Sequence, residues 1–213
     1  RPGMRNLGGD SGRNSRVKIS ICIPVYNAED TIERLYDRIC QELKGEDWEL
    51  VIVNDASRDQ SEKICAWLAE KNTNITFISL RKNFGEHNAV MCALHYCTGD
   101  YAVIVDDDFQ NPPEEIINLV REGEKGYDVV YSKFNTKNHS FLRNWGSYFN
   151  NQIATWLLSK PKELYLSSFK VIHRDVINEI IKYTGPFPYV DGLILRTTDN
   201  ISSVLVDHNK RKS

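Results

Sequence analysis

Tyr101-Ala102-Val103-Ile104-Val105-Asp106-Asp107-Asp108-Phe109-Gln110-Asn111-Pro112-Pro113-Glu114 joins an apolar run to an acidic triplet and then to a helix-start signal. The run Tyr101 to Val105 reads as a strand buried on both faces. In Asn111-Pro112-Pro113-Glu114 the Asn is a cap, Pro fills the first turn and Glu meets the unpaired N–H groups, so a helix opens there. Strand side chains alternate, which turns Asp106 and Asp108 to one side and Asp107 to the other. Two carboxylates a few ångströms apart repel by about 1 kcal/mol in water, and by more at low dielectric. Both ionise comfortably only beside a cation, and oxygen ligands at the carboxyl end of a sheet suit Mg²⁺ or Mn²⁺ shared with substrate phosphates. A solvated acidic turn is the plain alternative; the position after a buried strand favours the metal site.

Working outward, short β-rich runs alternate with helical stretches, the signature of an α/β domain on a largely parallel sheet. Ile19 to Val25 is a strand, and Ile32, Leu35, Tyr36, Ile39, Cys40 and Leu43 form one face of the helix that follows. Leu50 to Val53 is the second strand, and Asp59-x-x-Glu62 is a capping box for a helix carrying Ile64, Cys65 and Leu68. Ile75 to Leu80 is a third strand and Glu86 to Cys97 a third helix. Beyond Tyr127 the order loosens: a strand from Val129 to Ser132, a long helix near Ser140 to Leu158, a strand from Tyr165 to Ile172, two short helical segments, and a strand from Val204 to Val206. The segment Arg1 to Arg16, rich in Gly and without apolar periodicity, reads as a flexible leader or cloning remnant ahead of one domain over 17–213.

At 213 residues with 41% hydrophobic content the chain can bury one sizeable core. A formal charge of −2 lacks the basic footprint of a nucleic-acid binder, and no apolar run approaches the roughly 20 residues of a membrane span. Five scattered cysteines, odd in number and without zinc-site spacing, read as reduced core thiols in a cytosolic compartment.

Four motifs in order, Ile23-Pro24-Val25-Tyr26-Asn27-Ala28-Glu29, Val53-Asn54-Asp55-Ala56-Ser57-Arg58-Asp59, Asn83-Phe84-Gly85 and Asp106 to Glu114, resemble those of glycosyltransferase family 2. The Asp-x-Asp-Phe-Gln-x-Pro-Pro-Glu string is similar to that of the polyprenyl-phosphate sugar transferases, the dolichol-phosphate mannose synthase and undecaprenyl-phosphate glycosyltransferase type. The resemblance implies the GT-A fold, a single Rossmann-like domain with a mostly parallel central sheet flanked by helices. It also implies that Pro24, Tyr26 and Glu29 line a nucleotide pocket and that Asp55 hydrogen-bonds the base. Asp106 and Asp108 would hold the metal and the ribose–diphosphate, with Gln110 beside them and Lys82 as a donor contact. Asn54 stands where the family usually has Asp, and Ala56 where it usually has Gly.

On the acceptor side, Ser167-Ser168-Phe169-Lys170-Val171-Ile172-His173-Arg174 is similar to the family's Ser-x-Phe-Arg-x-x-x-Arg region, with Lys170 in place of Arg to meet an acceptor phosphate. Val206 to Arg211 resembles a segment whose Arg, here Arg211, reaches the donor diphosphate. That segment usually continues toward membrane-associated helices, which implies C-terminal truncation and a full-length protein at the cytoplasmic face of the membrane. The aromatic face of the long helix, from Phe141 to Leu157 with Arg143 and Lys160 flanking it, is either core or a surface near the bilayer.

The resemblance implies inverting transfer of a sugar from a UDP- or GDP-linked donor to a polyprenyl phosphate, with Mg²⁺ or Mn²⁺ as cofactor. A phosphate acceptor is already anionic and needs no strong base. A sugar-hydroxyl acceptor, as in polysaccharide or lipopolysaccharide synthesis, would need one, and Asp191 is the candidate. A non-catalytic nucleotide-sugar module, a nucleotidyltransferase and a homo-oligomeric state stay open at this point.

Overall fold

The computed structural model describes residues 16–134 and 165–206. A seven-stranded sheet runs in the order β3-β2-β1-β4-β6-β5-β7, with β1 Lys18–Val25, β2 Asp47–Asn54, β3 Ile75–Ser79, β4 Tyr101–Ile104, β5 Val129–Phe134, β6 Lys170–His173 and β7 Ile201–Val206. The pairs β1–β2, β2–β3, β1–β4 and β5–β7 are parallel; β6 runs antiparallel to both β4 and β5. The helices are α1 Ile32–Glu42, α2 Ser61–Lys71, α3 Glu86–Tyr96, α4 Ile116–Glu124, α5 Arg174–Ile180 and α6 Val190–Thr197, with a 3₁₀ turn at Pro113–Glu115 before α4.

The continuous apolar runs of the central strands follow from burial on both faces. Ile19, Ile21, Ile23 and Val25 of β1 pack with Leu35 and Ile39 of α1, Leu68 of α2 and Leu119 of α4. Cys22 of the same strand faces the other way, toward Ala89, Ala93 and Leu94 of α3, Ile177 of α5 and Ile194 of α6. Among the described residues three helices thus cover each face, the doubly wound arrangement that parallel strands require.

Several local expectations shift. The α2 capping box does not form: Gln60 precedes the helix, while Asp59 Oδ1 accepts from Ser61 N and Oγ and Asp59 Oδ2 accepts from Glu29 N. A carboxylate that bridges two loops satisfies more donors than one that closes its own helix turn. Asn111 likewise caps nothing, since its Oδ1 takes the Asp106 N–H at 2.7 Å. β6 is shorter than its apolar run, starting at Lys170, and β7 starts earlier, at Ile201. The five cysteines are free, with Cys22, Cys65 and Cys97 buried. No described helix is long and apolar enough to cross a membrane. The leader up to residue 15, the expected helix of 140–158 with its flanking Arg143 and Lys160, and Arg211 lie outside the described residues.

At the opposite end of the sheet from the acidic triplet, Glu49 ties β2 to β1 and to the α3–β4 turn. Its carboxylate pairs with Lys18 Nζ at 2.8 Å and accepts from Ser20 Oγ at 2.7 Å and from Thr98 N at 2.5 Å. Burial opposes its ionisation, but the Lys18, Ser20 and Thr98 donors outweigh it and hold its pKa at about 2, against an ordinary 4.5. Since the folded value lies below the unfolded one, the stabilisation is complete above about pH 4.5 and is lost as pH falls toward 2. The stability difference between the parent and Glu49→Gln, read by urea denaturation, is therefore expected to hold level down to about pH 4.5 and then to shrink steadily toward about pH 2. A difference independent of pH would show that Glu49 acts through packing alone.

Candidate active site

In an open α/β sheet the crevice forms where the strand order reverses, here between the carboxyl ends of β1, whose chain goes on to β2, and β4, whose chain goes on to β5 on the other flank. A cavity of about 420 Å³ lies there. Its wall comes from the end of β1 (Pro24, Val25, Tyr26), from Asp55 after β2, from the start of α3 (Asn83, Gly85, Glu86, Ala89), from Asp106, Asp107 and Asp108 after β4, and from Ser168 before β6.

The triplet is not strand-like. β4 ends at Ile104, the chain turns, and Phe109 takes the left-handed conformation at φ 62°. All three residues of the triplet line the cavity. Asp107 Oδ2 accepts the Tyr26 N–H at 2.9 Å, locking the triplet to the end of β1. Burial pushes its pKa up to about 6, with the Tyr26 N–H opposing and the Asp108 and Asp106 charges adding to the rise. Desolvation also raises Asp106, reinforced by Glu86 and Asp108 and opposed by bonds from Ser168 and Asn111. Asp108 is braced by Gln110, whose backbone N–H donates to Oδ1 at 3.0 Å and whose side-chain amide donates to Oδ2.

Asp55, buried, accepts the Phe84 N–H at 2.7 Å and the Gly85 N–H at 2.8 Å, one on each oxygen. It thereby pins the Asn83-Phe84-Gly85 loop to β2, while its second lone pairs stay available to a donor in the cavity. The two departures nearby serve one turn. Buried Asn54 donates through Nδ2 to Ser79 Oγ and accepts the Ser57 N–H, and between them Ala56 sits at φ 56°.

The other expected contacts are placed differently. Glu29 is exposed and clasps the next loop, accepting the Gln60 N–H at 2.8 Å, so it stands outside the cavity wall. Lys82 is exposed as well, its ammonium 4.8 Å above the Phe84 ring. Gln110 touches Asp108 from the solvent side. Lys170 and Asp191 meet each other: the ammonium donates to Asp191 Oδ1, which also accepts from Tyr131 Oη at 2.8 Å. Both are buried, and neither is on the cavity wall. Both hydrogen bonds fall on Oδ1 of Asp191, the candidate base for a hydroxyl acceptor.

Ser168, Glu86 and Asn111 were not singled out as functional by sequence. Ser168 Oγ donates to Asp106 Oδ2 at 2.5 Å because antiparallel β6 pairs Ile104 with Lys170, and continuing that register sets 168 opposite 106. In the motif Ser168 is the variable position, so no local signal marks it.

Among the described residues the wall carries five acidic residues, Asp55, Glu86, Asp106, Asp107 and Asp108, and no basic one. Among the described residues no three His, Cys, Asp or Glu groups converge on one point. A divalent cation held by Asp106 and Asp108 would thus draw its remaining ligands from phosphate and water, the ordinary habit of Mg²⁺.

A family model described as glycosyl transferase family 2 matches residues 20–181. The chain belongs to glycosyl transferase family 2. Among its relatives in that family is an undecaprenyl-phosphate 4-deoxy-4-formamido-L-arabinose transferase from Pseudomonas fluorescens, 34% identical over 198 residues, covering 91% of this chain and 58% of that protein. Another so named, from Enterobacter sp., is 34% identical over 167 residues, covering 77% of this chain and 51% of the other. The chain therefore spans a little over half the length of the curated family 2 relatives it matches. Glucosyl-3-phosphoglycerate synthase from Mycobacterium tuberculosis, solved with Mn²⁺, UDP and phosphoglyceric acid, superposes with a TM-score of 0.65 at 20% identity, covering 92% of this chain and 72% of that one. That likeness establishes the GT-A fold for this family 2 chain.

Proposed function

We propose that this family 2 chain is the catalytic part of an inverting glycosyltransferase that moves a sugar from a nucleoside-diphosphate sugar to a polyprenyl phosphate. The observation that carries the reading is the cavity at the β1–β4 switch point, whose described wall has five acidic residues and no basic one: such a wall admits an anionic diphosphate only together with a divalent cation. When bound at Asp106 and Asp108, Mg²⁺ or Mn²⁺ supplies Lewis-acid neutralisation of the charge that develops on the leaving nucleoside diphosphate. The chain's own groups do the rest. Pro24, Tyr26 and Asp55 receive the nucleoside, with Asp55 offering an acceptor to a base N–H. Gln110 and Asn111 hold the triplet in its turn. The acceptor phosphate is anionic near neutrality and attacks the anomeric carbon without a side-chain base.

The rim beside the cavity supports a lipid acceptor at a membrane surface. Phe187 is 85% exposed and Phe84 47% exposed. Tyr189 stacks edge-on against His87 at 5.2 Å, which brings the loop before α6 against the start of α3, and Lys82 lies over Phe84. Exposed rings beside an exposed lysine suit an isoprenoid phosphate at the cytoplasmic face of the membrane.

The test is calorimetric titration with UDP and with GDP, each with and without Mn²⁺, followed by sugar transfer to undecaprenyl phosphate in detergent. Metal-dependent binding of one nucleotide and transfer to the lipid phosphate is the expected result. In the same assay Phe187→Ser is expected to raise KM for the lipid several-fold while leaving nucleotide affinity unchanged. Transfer to a sugar hydroxyl but not to a lipid phosphate would overturn the acceptor assignment.

A further inference from the structure

Segment 167–170 crosses from the cavity to the buried pair on the far side of β6. Ser167 Oγ and Ser132 Oγ lie 2.8 Å apart, Ser168 Oγ donates to Asp106 Oδ2, Phe169 is fully buried and Lys170 is locked onto Asp191. The hydroxyl of Ser168 is thus presented to Asp106 from a backbone fixed on both sides. Asp106 is held at two points: its backbone N–H by Asn111 Oδ1 at 2.7 Å and its carboxylate by Ser168 at 2.5 Å. Ser168 is also the cavity-wall residue contributed by the antiparallel half of the sheet.

We propose that Ser168 is a positioning residue for the donor site: its hydroxyl fixes one oxygen of Asp106 so that the remaining lone pairs of that carboxylate meet the divalent cation in a single orientation. The assignment rests on the cation and nucleotide reading above. Outer-shell donors of this kind orient a ligating carboxylate, and their loss typically lowers metal affinity about ten- to a hundredfold. Without the hydroxyl, the carboxylate of Asp106 faces Glu86 and Asp108 across the cavity with one restraint fewer, and it is free to rotate about χ2.

Mn²⁺ affinity, read by electron paramagnetic resonance with saturating UDP or GDP, is expected to fall about tenfold or more in Ser168→Ala. Ser168→Thr keeps the hydroxyl and restores affinity to near the parent's, which a purely steric role for Ser168 would not give. The thermal midpoint is expected to fall modestly in Ser168→Ala, as for the loss of one hydrogen bond to a largely buried carboxylate. In turnover, the loss is recovered by raising Mn²⁺ rather than by raising lipid acceptor. Mn²⁺ affinity in Ser168→Ala equal to the parent's, while Asp106→Asn abolishes it, overturns the positioning role and leaves the donor-site reading intact. A parent protein that binds no Mn²⁺ with either nucleotide overturns both together.

Discussion

Asp106→Asn is expected to lower kcat/KM for sugar transfer by about three orders of magnitude, the cost of losing a charged group that holds the leaving-group cation. In the metal-free protein the same change is expected to raise stability. Burial, Glu86 and Asp108 all disfavour the Asp106 anion, so its folded pKa lies above its unfolded one. A carboxyl group of that kind destabilises the fold at a pH above both values, and the penalty disappears once it is protonated. The amide keeps the size of the side chain and can still accept from Ser168. The gain over the parent should therefore be present at pH 7, shrink as pH falls through the raised Asp106 pKa, and be gone below the ordinary carboxylate range. Activity and stability moving in opposite directions is the signature of a group placed for function, and thermal melts beside turnover assays measure both. A parallel loss of both would make Asp106 a structural residue.

Lys170→Met is expected to cost about 3 kcal/mol or more, because it leaves the Asp191 carboxylate buried with Tyr131 as its remaining partner. Both members of the pair are nearly inaccessible, Lys170 at 4% and Asp191 at 7%. Replacing both, as Lys170→Met with Asp191→Leu, should recover most of the loss, since apolar groups of similar volume need no desolvated partner. Urea denaturation of the two singles and the double gives the coupling directly. A single-variant cost under about 1 kcal/mol would place the pair in contact with water, as for surface ion pairs. The double variant also bears on function: if it keeps lipid-phosphate transfer, Lys170 is no acceptor contact.

The α/β order and nearly every strand were legible because they rest on signals carried within a few residues. Apolar runs of four to eight mark buried strands, and three- and four-residue steps mark α1. Two capping expectations failed for one reason. Asp59 and Asn111 have side chains that cap helices when nothing better is near, and in the folded chain Glu29 N–H and Asp106 N–H are nearer. Strand alternation does not carry through the acidic triplet, because it holds only while the backbone is extended, and β4 ends at Ile104 with a turn at Phe109 beyond it.

The sequence alone determined that a carboxylate cluster closes a buried strand of an α/β sheet, and the order of its four motifs placed the chain in its family. Only tertiary structure decided which carboxylates share the cavity, that Lys170 and Asp191 answer each other, and that Ser168 holds Asp106. The physical reason is range. Periodicity and capping are fixed by neighbours in the chain, whereas the partner of Asp106 lies 62 residues away and is chosen by the register of β6 against β4, which burial of both strands sets.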